Sequence, residues 1–277
     1  MDIYRNLYKA LEATYSTGEA QAIARMVMEE AFDLTMTDIL MDKDSQLSAN
    51  DLAKLEIITQ RLTKGEPVQY VLGYTHFAGH TFKVAPGVLI PRPETEELVS
   101  LILSECSAPN LRVLDIGTGS GCIAISLALA RPEWYVTAWD ISVEALAIAR
   151  SNAMALQAKV DFREQDALHT EGNADTYDII VSNPPYICRE EADEMEQNVL
   201  GYEPASALFV PDSDPLLFYR AIAAYGRSHL SPGGRLYFEI NRRFGPLTHD
   251  MLREMGYTDI TLHHDQYDNP RMISARL

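Results

Sequence analysis

From Arg112 to the end of the chain, short apolar runs rich in β-branched residues alternate with longer segments whose apolar residues recur every three or four positions. Runs of the first kind form buried strands, and segments of the second kind form helices that cover them. The order reads strand Arg112–Ile116, helix Cys122–Ala130, strand Tyr135–Ala138, helix Val143–Ala155 behind a Ser142 cap, then strands Val160–Arg163 and Tyr177–Ser182. Helix Leu216–Leu230, strand Arg235–Ile240, helix Pro246–Met255 and strands over Thr258–His263 and Met272–Leu277 complete it. This alternation predicts an α/β fold: a doubly wound, mostly parallel seven-stranded sheet with helices on both faces. Ligands of such sheets sit beyond the carboxyl ends of the strands, where strand order reverses.

The first part of the chain has a different period. Ile3, Leu7 and Leu11 fall four apart, Ala20 to Phe32 repeats a helical pattern, and Ser48 caps a helix carrying Leu52, Leu55, Ile58 and Leu62. Residues 1–66 are therefore expected to form a small helical bundle. Val68, Tyr70 and Leu72, then Phe82 and Val84, flank Gly79-His80 in the alternation of a hairpin, so residues 67–88 are expected to be a β-hairpin connector. Residues 89–277 make the large domain. It opens with Pro91-Arg92-Pro93-Glu94, where Pro93 suits a first helical position and Arg92 has no role in a simple helix start.

Charge narrows the function. The 277 residues carry a net −17 with pI about 4.7. A protein that works on phosphate backbones shows a basic face, so direct nucleic-acid binding is not expected. Cys106, Cys122 and Cys188 lack metal-ligand spacing; Cys122 is expected in the core and Cys188 at the surface. His263 and His264 are neighbours on a strand and point to opposite faces, so no metal site is expected. The polar opening Met1-Asp2-Ile3-Tyr4-Arg5 and the absence of long apolar runs lead us to expect no signal peptide, no membrane association and a cytoplasmic setting.

Four strand ends carry chemistry. Asp115-Ile116-Gly117-Thr118-Gly119-Ser120-Gly121 is a glycine-rich turn between strand and helix, where the backbone can turn tightly and a ligand can come close. A dinucleotide fingerprint needs its third glycine at position 122, which is Cys122, so a ligand without a pyrophosphate is favoured. Asp140 ends the next strand and can accept both hydroxyls of a ribose. Asp166 follows the third, with Ala167 and Leu168 beside it, and can accept from an adenine amino group. At the fourth strand end stands Asn183-Pro184-Pro185-Tyr186. Two prolines remove two backbone donors and leave the Asn183 side-chain oxygen and two carbonyls as acceptors. A planar substrate bearing an NH2 is the simplest partner for such a loop, with Tyr186 flat beside it.

In combination these features resemble class I methyltransferases that use S-adenosylmethionine and release S-adenosylhomocysteine. With Pro91-Arg92-Pro93-Glu94-Thr95-Glu96 and Glu203-Pro204-Ala205-Ser206-Ala207-Leu208, the chain is similar over nearly its whole length to the HemK/PrmC family. That family methylates N5 of the glutamine in the Gly-Gly-Gln motif of class I peptide chain release factors, in support of translation termination. The resemblance implies cofactor binding by Asp115, Gly117, Thr118, Gly119, Ser120, Gly121, Asp140, Ile141, Asp166, Ala167, Asn183, Arg92 and Thr95. It implies catalysis by Asn183, Pro184, Pro185 and Tyr186, with Glu203 joining them in binding substrate. One departure is Ala167, where the family often has an aromatic residue. The alternative reading is an adenine-N6 nucleic-acid methyltransferase. Such an enzyme must flip a base and hold phosphates, which the acidic balance and the lack of a DNA-reading domain disfavour.

Overall fold

A computed structural model of the chain describes residues 2–170, 175–195, 197–265 and 267–277. They fall into two compact units, one running to Tyr74 and including Gln197–Tyr202, the other holding the remainder. Among the described residues no helix is long and apolar enough to cross a membrane.

The first unit is helical: α1 (Asp2–Leu11), α2 (Thr17–Phe32), α3 (Met36–Leu40), α4 (Ala49–Leu62) and α5 (Val68–Leu72). Tyr4, Leu7 and Leu11 face Ala20, Ala24, Val27 and Met28 in one core with Leu55, Ile58 and Leu62, while Leu52 is left exposed. Reciprocal side-chain caps, Thr35 with Asp38 and Ser48 with Asp51, satisfy the first amides of α3 and α4. Val68–Leu72 departs from the expected hairpin arm and is a helical turn. Pro67 precedes it, Gly73 ends it at φ 88°, and Arg61 binds the carbonyls of Tyr70 and Val71 at 3.2 and 3.1 Å. The alternating apolar residues of this stretch suit a strand, but proline, glycine and a side-chain cap together decide for helix.

The second unit begins at Thr75, within the hairpin β1 (Tyr74–Phe77) and β2 (His80–Lys83), followed by α6 (Pro93–Glu105). The hairpin is more than a connector, because Phe77 and Phe82 are buried in the main core and Asn152 binds both the Lys83 amide and its carbonyl. Then come β3 (Arg112–Ile116), α7 (Cys122–Ala130), β4 (Tyr135–Asp140), α8 (Val143–Leu156), β5 (Val160–Glu164) and β6 (Tyr177–Ser182). After β7 (Ile187–Cys188), α9 (Gln197–Tyr202) joins the first unit, an association the sequence did not suggest. The chain continues through α10 (Ala205–Leu208), β8 (Phe209–Val210), α11 (Leu217–His229), β9 (Leu230–Glu239), α12 (Gly245–Glu254), β10 (Thr258–His264) and β11 (Pro270–Arg276).

Among the described residues the main sheet has seven strands in the order β10-β11-β9-β6-β3-β4-β5. Parallel pairing joins β9, β6, β3, β4 and β5, and β11 and β10 add antiparallel pairs at one edge. Alternate residues of each strand serve opposite faces: Val113, Ile179 and Tyr237 pack with α6 and α7, and Leu114, Ile180 and Phe238 pack with α11 and α12. The chain moves outward from β3 to β5 and returns to β6 on the other side of β3, so strand order reverses between β3 and β6. Cys188, expected at the surface, is buried in the small β7–β8 pair, where it stands opposite Val210.

Gly121 is where α7 and α8 approach. A Cβ there would lie 2.8 Å from Ile125 Cδ1 and 3.1 Å from the Ala149 Cβ, and its φ is +83°. Gly121→Ala is therefore expected to lower unfolding free energy by about 1–3 kcal/mol in urea titrations, from overpacking and the left-handed backbone together.

Candidate active site

The turn after β3 holds Gly117 and Gly119 at φ +77° and +56°, conformations that glycine adopts without steric cost. Their amides are anchored to the neighbouring strand: Gly117 and Thr118 donate to the Trp139 carbonyl at 2.9 and 2.8 Å, and Gly119 donates to Asp140 Oδ2 at 2.8 Å. A Cβ on Gly117 or Gly119 would meet no atom within 4 Å, so the turn faces open space. That space is a cavity of about 340 Å³ over the carboxyl ends of β3, β4 and β6. It falls in the size range of small-molecule sites.

Gly117, Gly119, Asp140, Ile141, Asp166, Ala167, Asn183, Pro184 and Pro185 all line this one cavity. In sequence they lie in four separate loops. Its remaining walls come from Gly87–Leu89, Gln165, Leu168, Pro204, Ser206, Ala207, Phe209, Phe218 and Ile222. Beside Asp166, where the family resembled often has an aromatic residue, Ala167 and Leu168 form apolar lining. Asp140 and Asp166 are the charged side chains of the wall, and among the described lining residues there is no Lys or Arg. A phosphate would find no counter-charge there, whereas a cationic nucleoside would find two carboxylates.

Burial lifts the pKa of the Asp140 carboxyl, against hydrogen bonds from the amides of Ser142 and Gly119. For Asp166 burial acts the same way, but His169 Nδ1 at 2.7 Å and the Leu168 amide at 2.8 Å outweigh it and hold the carboxyl below the ordinary range. Asp166 is thus poised as an acceptor.

The other expected site residues stand behind the lining. Asp115 is fully buried beneath the turn, with Thr118 Oγ1 donating to its Oδ2 at 2.6 Å, and burial pushes its pKa up to about 7. The Ser120 carbonyl accepts from Asn152 at 2.9 Å, which ties the turn to α8 and the hairpin. Glu203 is buried and spans two wall segments: its carboxylate accepts from the Ile90 amide at 3.1 Å and from Arg92. Arg92 and Glu203 therefore bind each other, and neither lines the cavity. Thr95 is also off the lining, at the start of α6, where its hydroxyl oxygen accepts from Asn183 Nδ2 at 3.2 Å. Tyr186 turns inward; its hydroxyl donates to Glu239 Oε1 at 3.1 Å, and its carbonyl accepts from Asn241 Nδ2 at 3.1 Å.

Glu239 was not foreseen. It lies at the carboxyl end of β9, 1% exposed, and accepts from Thr95 Oγ1 at 2.6 Å as well as from Tyr186. Burial raises its pKa, opposed by those two hydrogen bonds and by Arg271. The signal was available: an acid inside the apolar run Leu236-Tyr237-Phe238-Glu239-Ile240 stands at a strand end as Asp140 does.

Asp115 also governs a pH response. Its carboxyl takes up a proton more readily folded, at about 7, than at the model-peptide value of 3.8, so the folded state binds more protons between these pH values. Stability is then highest below 3.8 as far as this group is concerned, and falls as pH rises through 7, by at most about 4 kcal/mol. Thermal unfolding of cofactor-free protein should show a larger loss between pH 5 and pH 8, about three pH units apart, than the Asp115→Asn variant shows.

Residues 91–201 match the family model of the methyltransferase small domain, and residues 2–73 match that of the PrmC N-terminal domain. The release factor glutamine methyltransferase of Bacteroides thetaiotaomicron is 51% identical over 96% of this chain and 96% of its own. That of Flavobacterium psychrophilum is 43% identical over 98% of this chain and 97% of its own. Among solved structures, the 16S rRNA N2 G1207 methyltransferase of T. thermophilus, in complex with AdoMet and guanosine, superposes with a TM-score of 0.55 at 18% identity, over 73% of this chain and 49% of that one. A methyltransferase from Pyrococcus furiosus gives 0.53 at 18% identity, over 70% and 87%. These two similarities establish the fold.

Proposed function

The chain belongs to the release factor glutamine methyltransferase family, and from that membership we propose that its cavity binds S-adenosylmethionine and methylates a release factor glutamine. The substrate is the Gly-Gly-Gln glutamine of class I release factors, modified at N5, and the enzyme is assigned to the cytoplasm where those factors act. One observation carries the cofactor reading: a glycine-floored cavity with two carboxylates and no Lys or Arg among its described lining residues suits a positively charged adenosine derivative and repels phosphates. Gly117 and Gly119 leave room for it, Asp140 suits the ribose hydroxyls, and Asp166 suits the adenine amino group, with Ile141, Ala167 and Leu168 as apolar neighbours. When bound, S-adenosylmethionine supplies a methyl group on positively charged sulfur.

The chain's own residues then have to orient a poor nucleophile. An amide nitrogen shares its lone pair with the carbonyl. Asn183 Oδ1 and the Pro184 carbonyl each accept one N–H of the glutamine amide, hold the nitrogen still and favour its pyramidal form. Proline at 184 and 185 leaves no backbone N–H there to compete. Positioning of this kind is worth about 7–11 kcal/mol of barrier. The N-methylated amide cation is strongly acidic and gives its proton to water, so no dedicated base is needed. Tyr186 stands off the cavity lining and braces the loop from behind, its hydroxyl committed to Glu239. Arg92 and Glu203 act together as a clasp between the Ile90 and Pro204 segments, a supporting role for both.

The test is turnover with labelled S-adenosylmethionine and a release factor. Asn183→Ala is expected to lose about a hundredfold or more in kcat while cofactor affinity stays within about threefold, because the contact matters most in the transition state. Near-normal turnover would remove Asn183 from the mechanism. The helical unit is assigned to gripping the release factor. A chain lacking residues 1–70 is expected to retain cofactor affinity, measured by calorimetry, and to lose turnover on the protein substrate.

A further inference from the structure

We propose that Glu239 is a positioning residue that fixes which way round the Asn183 carboxamide faces. The proposal rests on the role given above to Asn183, and goes beyond it by naming what holds that side chain.

The register puts the two residues side by side. Parallel pairing of β6 with β9 sets Ser182 opposite Phe238, so the following residues, Asn183 and Glu239, emerge together at the strand ends. Thr95, from the first turn of α6, stands between them. A carboxylate is an acceptor only, and a threonine hydroxyl has one hydrogen. Thr95 gives that hydrogen to Glu239 Oε2 at 2.6 Å, which leaves its oxygen able only to accept. The group of Asn183 that meets it must then be the donor, Nδ2, as the 3.2 Å contact has it. Oδ1 is left for the other side of a carboxamide that lines the cavity. The order of donation, Asn183 to Thr95 to Glu239, thus runs one way.

The same carboxylate holds the far end of the loop. Its Oε1 accepts the Tyr186 hydroxyl at 3.1 Å, so both flanks of Pro184-Pro185 are fastened to one buried group. Were a donor to replace that group, Thr95 could turn its hydrogen to Asn183. The carboxamide would reverse and present an NH2 to a substrate NH2.

Glu239→Gln, of nearly the same size, is that replacement: its carbonyl keeps the Tyr186 hydroxyl and its NH2 then meets Thr95. Full-length enzyme is compared with Glu239→Gln, Thr95→Val and Thr95→Ser for kcat and KM on a release factor, for cofactor affinity by calorimetry, and for thermal stability. Binding is also measured, without turnover, for release factor bearing glutamine or glutamate at the methylated position. Glu239→Gln is expected to lower kcat by about a hundredfold, the effect of a reacting group held 1 Å out of place, with KM and cofactor affinity within about threefold. It should also reverse the binding preference, from glutamine to glutamate, because an NH2 in the cavity suits a carboxylate. Thr95→Val should lose kcat similarly, and Thr95→Ser, which keeps the hydroxyl, should recover most of that loss. If Glu239→Gln fails to fold, Thr95→Val and Thr95→Ser decide the matter. Wild-type kcat in a folded Glu239→Gln or in Thr95→Val, or lost kcat in Glu239→Gln with the glutamine preference intact, overturns the proposal. If those variants are active and Asn183→Ala is not, this inference alone fails; if Asn183→Ala is active, the role of Asn183 itself fails.

Discussion

Parallel pairing of β3, β6 and β9 is the constraint from which the site follows. Ile116 pairs with Ser182 and Ser182 with Phe238, so the three strands end within a residue of one another. The Ser182 hydroxyl locks this level by donating to the Ile116 carbonyl at 2.6 Å. Whatever follows each strand is thereby delivered to one place: the glycine turn, the Asn183 loop, and Glu239 beneath it. A slip of one residue would turn each of these side chains to the opposite face of the sheet. The geometry of the candidate site is thus a consequence of backbone hydrogen bonding in the sheet.

A second constraint is electrostatic. Burial works against the charge on Asp115, Asp140 and Glu239 alike, and each is partly compensated by donors from its own surroundings. Concentrating acids at a strand-end site costs stability, and that cost makes sense where the ligand is itself positive. It also explains why the acidic chain needs no local basic patch for its cofactor. Glu203 follows a related logic: a buried acid at 5% exposure, matched by Arg92 and the Ile90 amide, fastens one wall of the cavity to another.

Much of this was legible in the sequence because strand ends in a doubly wound fold are where ligands bind. The mostly regular alternation from Arg112 onward predicts the seven strands, and Asp140, Asp166 and Asn183 stand out as polar residues closing apolar runs. What stayed hidden was set by tertiary contact. Val68–Leu72 reads as a strand until Arg61, ten residues or fewer away in sequence from the carbonyls it caps, is known to be there. The burial of Cys188 goes with the pairing of Phe209 and Val210 to β7, some twenty residues on, and the attachment of Gln197–Tyr202 to the helical unit leaves no periodic signal. The resemblance implies a cofactor role for Arg92, and its pairing with Glu203, 111 residues away, shows only in the fold. Thr95 likewise shows its orienting contacts only once Asn183 and Glu239 are aligned beside it.

The central claim is that this cavity delivers one methyl group to a side-chain amide nitrogen. Mass spectrometry of a class I release factor, after incubation with the enzyme and isotopically labelled S-adenosylmethionine, tests it most directly. The account predicts a single labelled methyl on the side-chain nitrogen of the Gly-Gly-Gln glutamine. Label on another residue, on added nucleic acid, or nowhere at all would contradict it.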